Sequence, residues 1–169
     1  CDAARIGILT DYTLHPYWKG VNLDALVTPS EQLHYGIMQA GMPERILQPC
    51  GIPIDSKFNK VMDKAEARGK IGIPDIPTVL IMGGSMGYGN MAENVRKIDA
   101  LNMTGTAQDF QLIVVCGNNA EMKAEIDEIA KNARHRMLVT GFVKTIPQMM
   151  DAADCIITKP GGLTTSEAL

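Results

Sequence analysis

Residues 78–84 read TVLIMGG, a short apolar run that ends directly in glycine. The same arrangement returns at 111–117 (QLIVVCG), at 137–141 (MLVTG) and at 155–162 (CIITKPGG). Apolar runs without polar alternation are typical of strands buried on both faces, and the helical patterns between them are long enough for right-handed crossovers. This part of the chain therefore predicts a doubly wound parallel α/β sheet.

The part before residue 78 is less regular. Short apolar runs predict further strands, and helical periodicity covers 30–40 and 56–68. Residues 70–77 (KIGIPDIP) combine prolines with glycine, which resist both helix and sheet.

We predict three parts from these patterns. Residues 1–70 form the C-terminal part of a first domain, 71–77 form a linker, and 78–169 form a second domain. Both domains are expected to be incomplete, because the chain starts at Cys1 and stops inside a helical pattern.

Composition excludes some classes of function. A formal net charge of -3 gives no overall attraction to nucleic acid. The 4 cysteines form no CxxC pair, so we expect no structural zinc and a reducing compartment. No run approaches the roughly 18 apolar residues of a membrane-spanning helix.

The glycine-rich ends of the predicted strands are the candidate ligand site, because open α/β sheets bind ligands at the carboxyl ends of their strands. The loop with Gly83, Gly84, Ser85 and Gly87 could direct backbone N–H groups at an anion. It matches neither a Walker A loop nor GxGxxG, and a tight strand-to-helix turn is the alternative.

The last loop is more specific. Gly161 and Gly162 would allow close approach to a diphosphate at the start of a helix. Glu167 could accept hydrogen bonds from the two hydroxyls of a ribose, or it could complete a capping box with Thr164.

A polar and aromatic group follows the first apolar run. Asp11, His15 and Trp18 lie within TDYTLHPYW and could supply a base or a ligand for a sugar hydroxyl. The alternative is a local hydrogen bond between Asp11 and His15, with Trp18 packed in the core. His34 and His135 are expected at the surface.

These motifs resemble a known family. GGSMG, VVCGNN, TGFV and DCIITKPGGLTTSEAL are similar to the donor-binding domain of family 28 glycosyltransferases. TDYTLHPYW and CGIPI are similar to segments of the bacterial diacylglycerol glucosyltransferases and plant monogalactosyldiacylglycerol synthases. The resemblance implies a GT-B architecture, in which two Rossmann-like domains with parallel sheets face each other across a cleft.

The resemblance also implies a role for each candidate residue. Asp11, His15 and Trp18 would lie on the acceptor side. The catalytic base is unknown: the histidine of the family would precede Cys1, and Asp11 and His15 are the candidates within this chain. The donor-binding residues would be Gly83, Gly84, Ser85, Gly87, Gly117, Asn118, Phe142, Val143, Gly161, Gly162, Thr164 and Glu167. Among these, Phe142 and Val143 would hold the uracil.

The implied activity is transfer of a hexose from a UDP-sugar to a lipid acceptor of the diacylglycerol type. The implied location is the cytosolic face of a membrane, with peripheral contact through parts that would precede Cys1. No DxD motif occurs, so we expect neither metal nor cofactor. This chain alone is expected to be inactive. A UDP-N-acetylglucosamine 2-epimerase and a non-catalytic nucleotide-binding module are the alternatives.

Overall fold

The computed structural model of the chain describes residues 3–83, 90–101 and 109–169. Parallel strands and helices alternate through these ranges. The strands are β1 (Ile6–Ile8), β2 (Ala25–Val27), β3 (Leu47–Gln48), β4 (Thr78–Met82), β5 (Gln111–Val115), β6 (Arg136–Thr140) and β7 (Cys155–Thr158). The helices are α1 (His34–Gln39), α2 (Lys64–Ile71), α3 (Met91–Asp99), α4 (Ala120–Lys131), α5 (Ile146–Ala152) and α6 (Gly162–Glu167).

Contacts divide the chain into two compact units. The first unit comprises the residues up to 56 together with 160–167, and the second comprises 57–159. Helix α2 reaches Ile71 and so includes the first residue of the predicted linker. The domain limits predicted from the sequence stay a prediction.

The first unit contains a parallel sheet in the order β1-β2-β3. One face of this sheet packs against a core that includes Leu9, Leu26 and Ile37. Gly7 lies at the centre of β1, where an added Cβ would be 2.8 Å from both Trp18 and Leu23. Glycine at this position therefore lets Trp18 pack directly on the strand, as the alternative interpretation of Trp18 expected.

The second unit contains a parallel sheet in the order β6-β5-β4-β7. Side chains of β4 and β5 alternate between two buried clusters, one on each face: Leu80 and Ile113 belong to one, Ile81 and Val114 to the other. Helices α2 and α5 supply buried residues to the first cluster, and α3 and α4 to the second. The predicted parallel sheet with helices on both faces is confirmed.

The predicted helix over 56–68 is wrong in its limits. A short 3₁₀ turn covers Ser56–Asn59, and α2 begins only after Asp63. The Asp63 carboxylate accepts hydrogen bonds from the backbone N–H groups of Ala65 and Glu66, which makes it the N-cap. The helix continues past the predicted limit through Gly69. It ends at Gly72, whose φ of 74° is left-handed.

A buried arginine joins the elements at the amino ends of β4 and β7. The Arg68 side chain is 8% exposed and donates to the carboxylates of Asp75 at 2.7 Å and Asp154 at 2.6 Å. Its Nε also donates to the backbone carbonyl of Ala152 at 3.0 Å. Each of the three guanidinium nitrogens thus donates a hydrogen bond, as a buried charge requires. This cluster lies at the edge of the sheet opposite to the predicted ligand site.

Candidate functional site

The carboxyl ends of four strands meet at one edge of the second sheet. All its strands are parallel, so the residues that follow them lie along the same edge. In the order of the sheet these residues are Gly141, Cys116, Gly83 and Lys159. Three interstrand spacings make this edge roughly 14 Å long. We call it the carboxyl edge.

Two glycines lie close together at the carboxyl edge. Gly117 has a φ of 58°, a left-handed conformation that favours glycine. A Cβ on Gly141 would lie 3.4 Å from the carbonyl oxygen of Gly117. Asn119 then caps α4, with its side-chain oxygen accepting from the N–H of Met122 at 2.9 Å. Between them Asn118 is exposed and open to a ligand.

Phe142 is an exposed aromatic ring beside this edge. It is 64% exposed, whereas the neighbouring Val143 packs against the core. An exposed ring of this kind leaves apolar area in water that a flat base could cover. The pair therefore combines a side chain that packs against the core with an exposed aromatic ring.

The first glycine loop is only partly described. Gly83 is buried directly after β4. The other predicted residues of this loop, Gly84, Ser85 and Gly87, lie outside the described residues.

The last loop belongs to the first unit. A Cβ on Gly162 would lie 2.0 Å from the backbone oxygen of Thr10, so α6 approaches the end of β1 as closely as glycine allows. Helix α6 begins at Gly162, which places Thr164 inside it. The alternative capping box between Thr164 and Glu167 is therefore wrong. Gly161 and Glu167 are both half-buried.

The residues after β1 are partly engaged with one another. His15 Nδ1 accepts from the N–H of Tyr17 at 3.3 Å, and the two rings are tilted by 49° with their centroids 4.5 Å apart. Asp11 is exposed. The proposed local hydrogen bond between Asp11 and His15 is absent from the described contacts, and Trp18 is half-buried in the core of the unit.

A cavity in the first unit was not predicted from the sequence. It has a volume of about 410 Å³ and lies between the segment after β1 and helix α1. Tyr12, Thr13 and Lys19 give it polar walls, and Leu33 and Ile37 give it an apolar one. The signal was available in TDYTLHPYWK, where polar side chains surround Leu14, but its partner helix is distant in sequence.

The side chains of His135 and Cys116 are buried. His135 was predicted at the surface, but its side chain is 8% exposed, bonded to Asp99 and stacked on Phe110 at 3.8 Å. Cys116 is fully buried, and burial raises the pKa of its thiol, which keeps it protonated.

Two kinds of feature are absent from the part of the chain that the structure describes: a membrane-spanning helix and a metal-binding cluster. None of the helices in residues 3–83, 90–101 and 109–169 is both long and apolar enough to cross a bilayer. In the same part of the chain, no group of three or more histidine, cysteine or acidic residues is arranged to hold a metal ion.

Comparison with known proteins gives relatives in sequence. The chain is 30% identical to the processive diacylglycerol beta-glucosyltransferase of Bacillus licheniformis over 162 residues. It is 31% identical over 169 residues to the probable monogalactosyldiacylglycerol synthase 2, chloroplastic, of Oryza sativa. These alignments cover 95% and 97% of the chain, but the chain spans only 41% and 36% of the two relatives.

Solved structures share the fold. One is HepE from Anabaena, in complex with UDP and glucose. The alignment covers 96% of the present chain and 49% of the HepE chain, at 18% sequence identity and a TM-score of 0.58. Another is MurG from Acinetobacter baumannii. The alignment covers 98% of the present chain and 43% of the MurG chain, at 18% sequence identity and a TM-score of 0.57. The GT-B fold is confirmed by these likenesses.

Family profiles cover both regions of the chain. The monogalactosyldiacylglycerol (MGDG) synthase profile matches residues 3–54. The profile of the glycosyltransferase family 28 C-terminal domain matches residues 78–169, more than half of the chain. The chain therefore belongs to the family 28 glycosyltransferases.

Proposed function

We propose that the complete protein transfers a hexose from a UDP-sugar to the hydroxyl of a diacylglycerol-type lipid. The observation that carries the proposal is the carboxyl edge, where parallel strands bring glycine turns and the exposed ring of Phe142 together. Family membership and the lipid glycosyltransferases among the relatives support the same reaction.

The donor is assigned along the carboxyl edge. Phe142 stacks on the uracil, and the backbone of Val143 contacts the edge of the base. Gly117 and Asn118 line the middle of the site, and Gly83, with Gly84, Ser85 and Gly87 after it, lines the diphosphate. The residues assigned from the last loop are Gly161, Gly162 and Thr164 for the diphosphate and Glu167 for the ribose.

The acceptor is assigned to the first unit. The mixed walls of its cavity suit a molecule with hydroxyls at one end and hydrocarbon at the other. Asp11 and His15 are the candidates for the base, and Trp18 supports the segment that carries them by packing on Gly7. Contact with the membrane is proposed to be peripheral and on the cytosolic side.

The reaction is a substitution at the anomeric carbon. The acceptor oxygen forms a bond to this carbon, the bond to the β-phosphate oxygen breaks, and the electron pair leaves with UDP. The hydroxyl proton passes to the base. Negative charge grows on the diphosphate, and backbone N–H groups can stabilise it without a metal ion. We propose a metal-independent enzyme because the chain has no DxD motif.

Transfer tests the proposal directly. The complete protein is incubated with labelled UDP-glucose or UDP-galactose and vesicles that contain diacylglycerol, and the lipids are separated by chromatography. We expect a labelled glycolipid whose yield is unchanged by EDTA. Consumption of the UDP-sugar without an acceptor would point to an epimerase, and UDP binding without any turnover would point to a non-catalytic module.

A single variant tests the position of the donor. Phe142→Ala is expected to weaken UDP binding roughly 5- to 100-fold, because stacking of a base on an aromatic ring is lost. Tyr35→Ala is the matched control, since Tyr35 is a similarly exposed ring at 72% that lies on α1. Equal UDP affinity of the two variants would contradict the proposed base site.

A further inference from the structure

Lys159 lies at the carboxyl edge and has no assigned role. It follows β7 directly, it is exposed, and no ion pair or hydrogen bond joins it to any residue in the described ranges. Lys144 also follows a strand of this sheet and is exposed, but it lies beyond β6. The nearby Lys123 on α4 is neutralised by Asp127 at 2.6 Å.

The register of the sheet fixes the neighbour of Lys159. Met82 and Thr158 are Cα partners in the parallel pair β4 and β7. Gly83 and Lys159 are the residues that come directly after this last pair, where the two strands lie about 4.8 Å apart. Lys159 is thus adjacent to the start of the first glycine loop.

The alternation of β7 indicates the direction of the side chain. Ile157 pairs with Ile81, which belongs to the buried cluster on the side of α3. Because side chains alternate between faces, Lys159 continues on the same side as Ile157. Helix α3 begins at Met91, shortly after the first glycine loop. Lys159, the second residue after Ile157, is therefore expected on the side of the sheet that α3 covers.

We infer that Lys159 binds the diphosphate of the UDP-sugar and stays paired with UDP as it leaves. The inference rests on the proposed function and names one more residue of the donor site. An ammonium group supplies three hydrogen-bond donors and a full positive charge. It can therefore neutralise the negative charge that grows on the leaving group.

Position separates Lys159 from the other free lysine of the edge. Lys144 lies after β6, two strands away from β4, whereas Lys159 lies on the strand next to β4. Both residues are exposed and carry the same charge, so they differ chiefly in distance from Gly83 at the end of β4. Lys144→Met is therefore a matched control for Lys159→Met.

The test measures binding of uridine and UDP to the complete protein by calorimetry. In Lys159→Met, we expect UDP affinity to fall roughly 10- to 100-fold, because a hydrogen-bonded charge pair is lost. Uridine affinity is expected to stay unchanged because uridine has no phosphate. Lys159→Arg should retain most of the UDP affinity, and Lys144→Met should match the unmodified protein for both ligands.

Three results would overturn the inference. If Lys159→Met binds UDP as well as the unmodified protein, the donor site stands but Lys159 is not part of it. If the variant loses affinity for uridine and UDP equally, the lysine supports the fold and not the diphosphate. If the unmodified protein binds no UDP, the proposed function fails, and the inference fails with it.

Discussion

The two parallel sheets differ in how much of each strand is buried. In the second unit, all five residues of β5 are buried, and separate clusters cover both faces of the sheet. In the first unit, Gly7 of β1 is buried, but Ile6 and Ile8 are 63% and 46% exposed. The first sheet therefore packs one face against a core, whereas the second is enclosed on both faces.

This difference bears on function. A sheet held between two helix layers keeps the ends of its strands in fixed relative positions, as a preorganised ligand site needs. The proposed donor residues at the carboxyl edge follow such strands. The residues after β1 depend instead on short local contacts, such as the bond between His15 and the Tyr17 backbone.

The largest expected effect contrasts the two sheets directly. Ile113→Ala is expected to lower the free energy of unfolding by about 2–5 kcal/mol, because Ile113 is fully buried at the centre of β5. Ile6→Ala in the exposed face of β1 is expected to cost about 0.5 kcal/mol or less. Urea unfolding measures the free energy of unfolding of each variant. Hydrogen exchange of the β5 and β1 peptides shows which region each substitution destabilises. Equal losses of stability in the two variants would contradict the proposed difference between the two sheets.

An intermediate effect is expected from adding a methyl group to one glycine of each unit. Gly162→Ala should cost about 1–3 kcal/mol, because the new Cβ would lie 2.0 Å from the Thr10 oxygen and the backbone must move.

Gly141→Ala is the matched change in the second unit. Its new Cβ would lie 3.4 Å from the nearest oxygen, a contact that a small shift can relieve. Hydrogen exchange should increase around β1 in Gly162→Ala and stay nearly unchanged around β6 in Gly141→Ala. The reverse order would mean that the contact between α6 and β1 does not hold the first unit together.

The smallest effect concerns pH. Partial burial raises the pKa of Asp154, but hydrogen bonds from Lys64 and the Thr78 amide and the charge of Arg68 outweigh it, so the pKa lies below its ordinary value. The folded protein then binds fewer protons here than the unfolded chain. The stabilisation is complete above the unfolded pKa of about 3.9 and is lost as pH falls through the lower folded pKa.

Asp154→Asn tests this contribution. The difference in urea midpoint between the variant and the unmodified protein should be largest near neutral pH and should shrink below about pH 4. Asp127→Asn is the control, because this carboxylate forms an exposed pair within α4, worth only a few tenths of a kcal/mol. A difference for Asp154→Asn that is constant across the acid range would contradict the prediction.

The sequence predicted the second sheet well because its strands are uninterrupted apolar runs. The limits of β4 and β7 agree with the predicted runs to the residue. The first unit was harder, because its strands have only 2 or 3 residues and α1 follows directly on a 3₁₀ turn. Local periodicity is weak in such short elements, and tertiary packing decides them.

The parts of the candidate site that depend on strand order could be predicted from the sequence. The parts that depend on contacts between residues distant in sequence could not. Strands that alternate with helices imply one carboxyl edge, so Gly117 and Gly141 could be assigned to it from the sequence alone. The burial of His135 depends on Asp99 and Phe110, which no spacing rule connects to it. The cavity beside Lys19 likewise needs α1 to fold back over the segment after β1.

The return of residues 160–167 to the first unit has a consequence for biosynthesis. The second unit is inserted in the sequence between the two stretches that build the first. During translation, β1 emerges long before Gly162, so the contact between α6 and the end of β1 can form only after the inserted unit has been made. Closure of such a long loop is slow compared with local folding. The order of synthesis therefore favours early folding of the inserted sheet. The packing of Gly162 against Thr10 is expected as a late step.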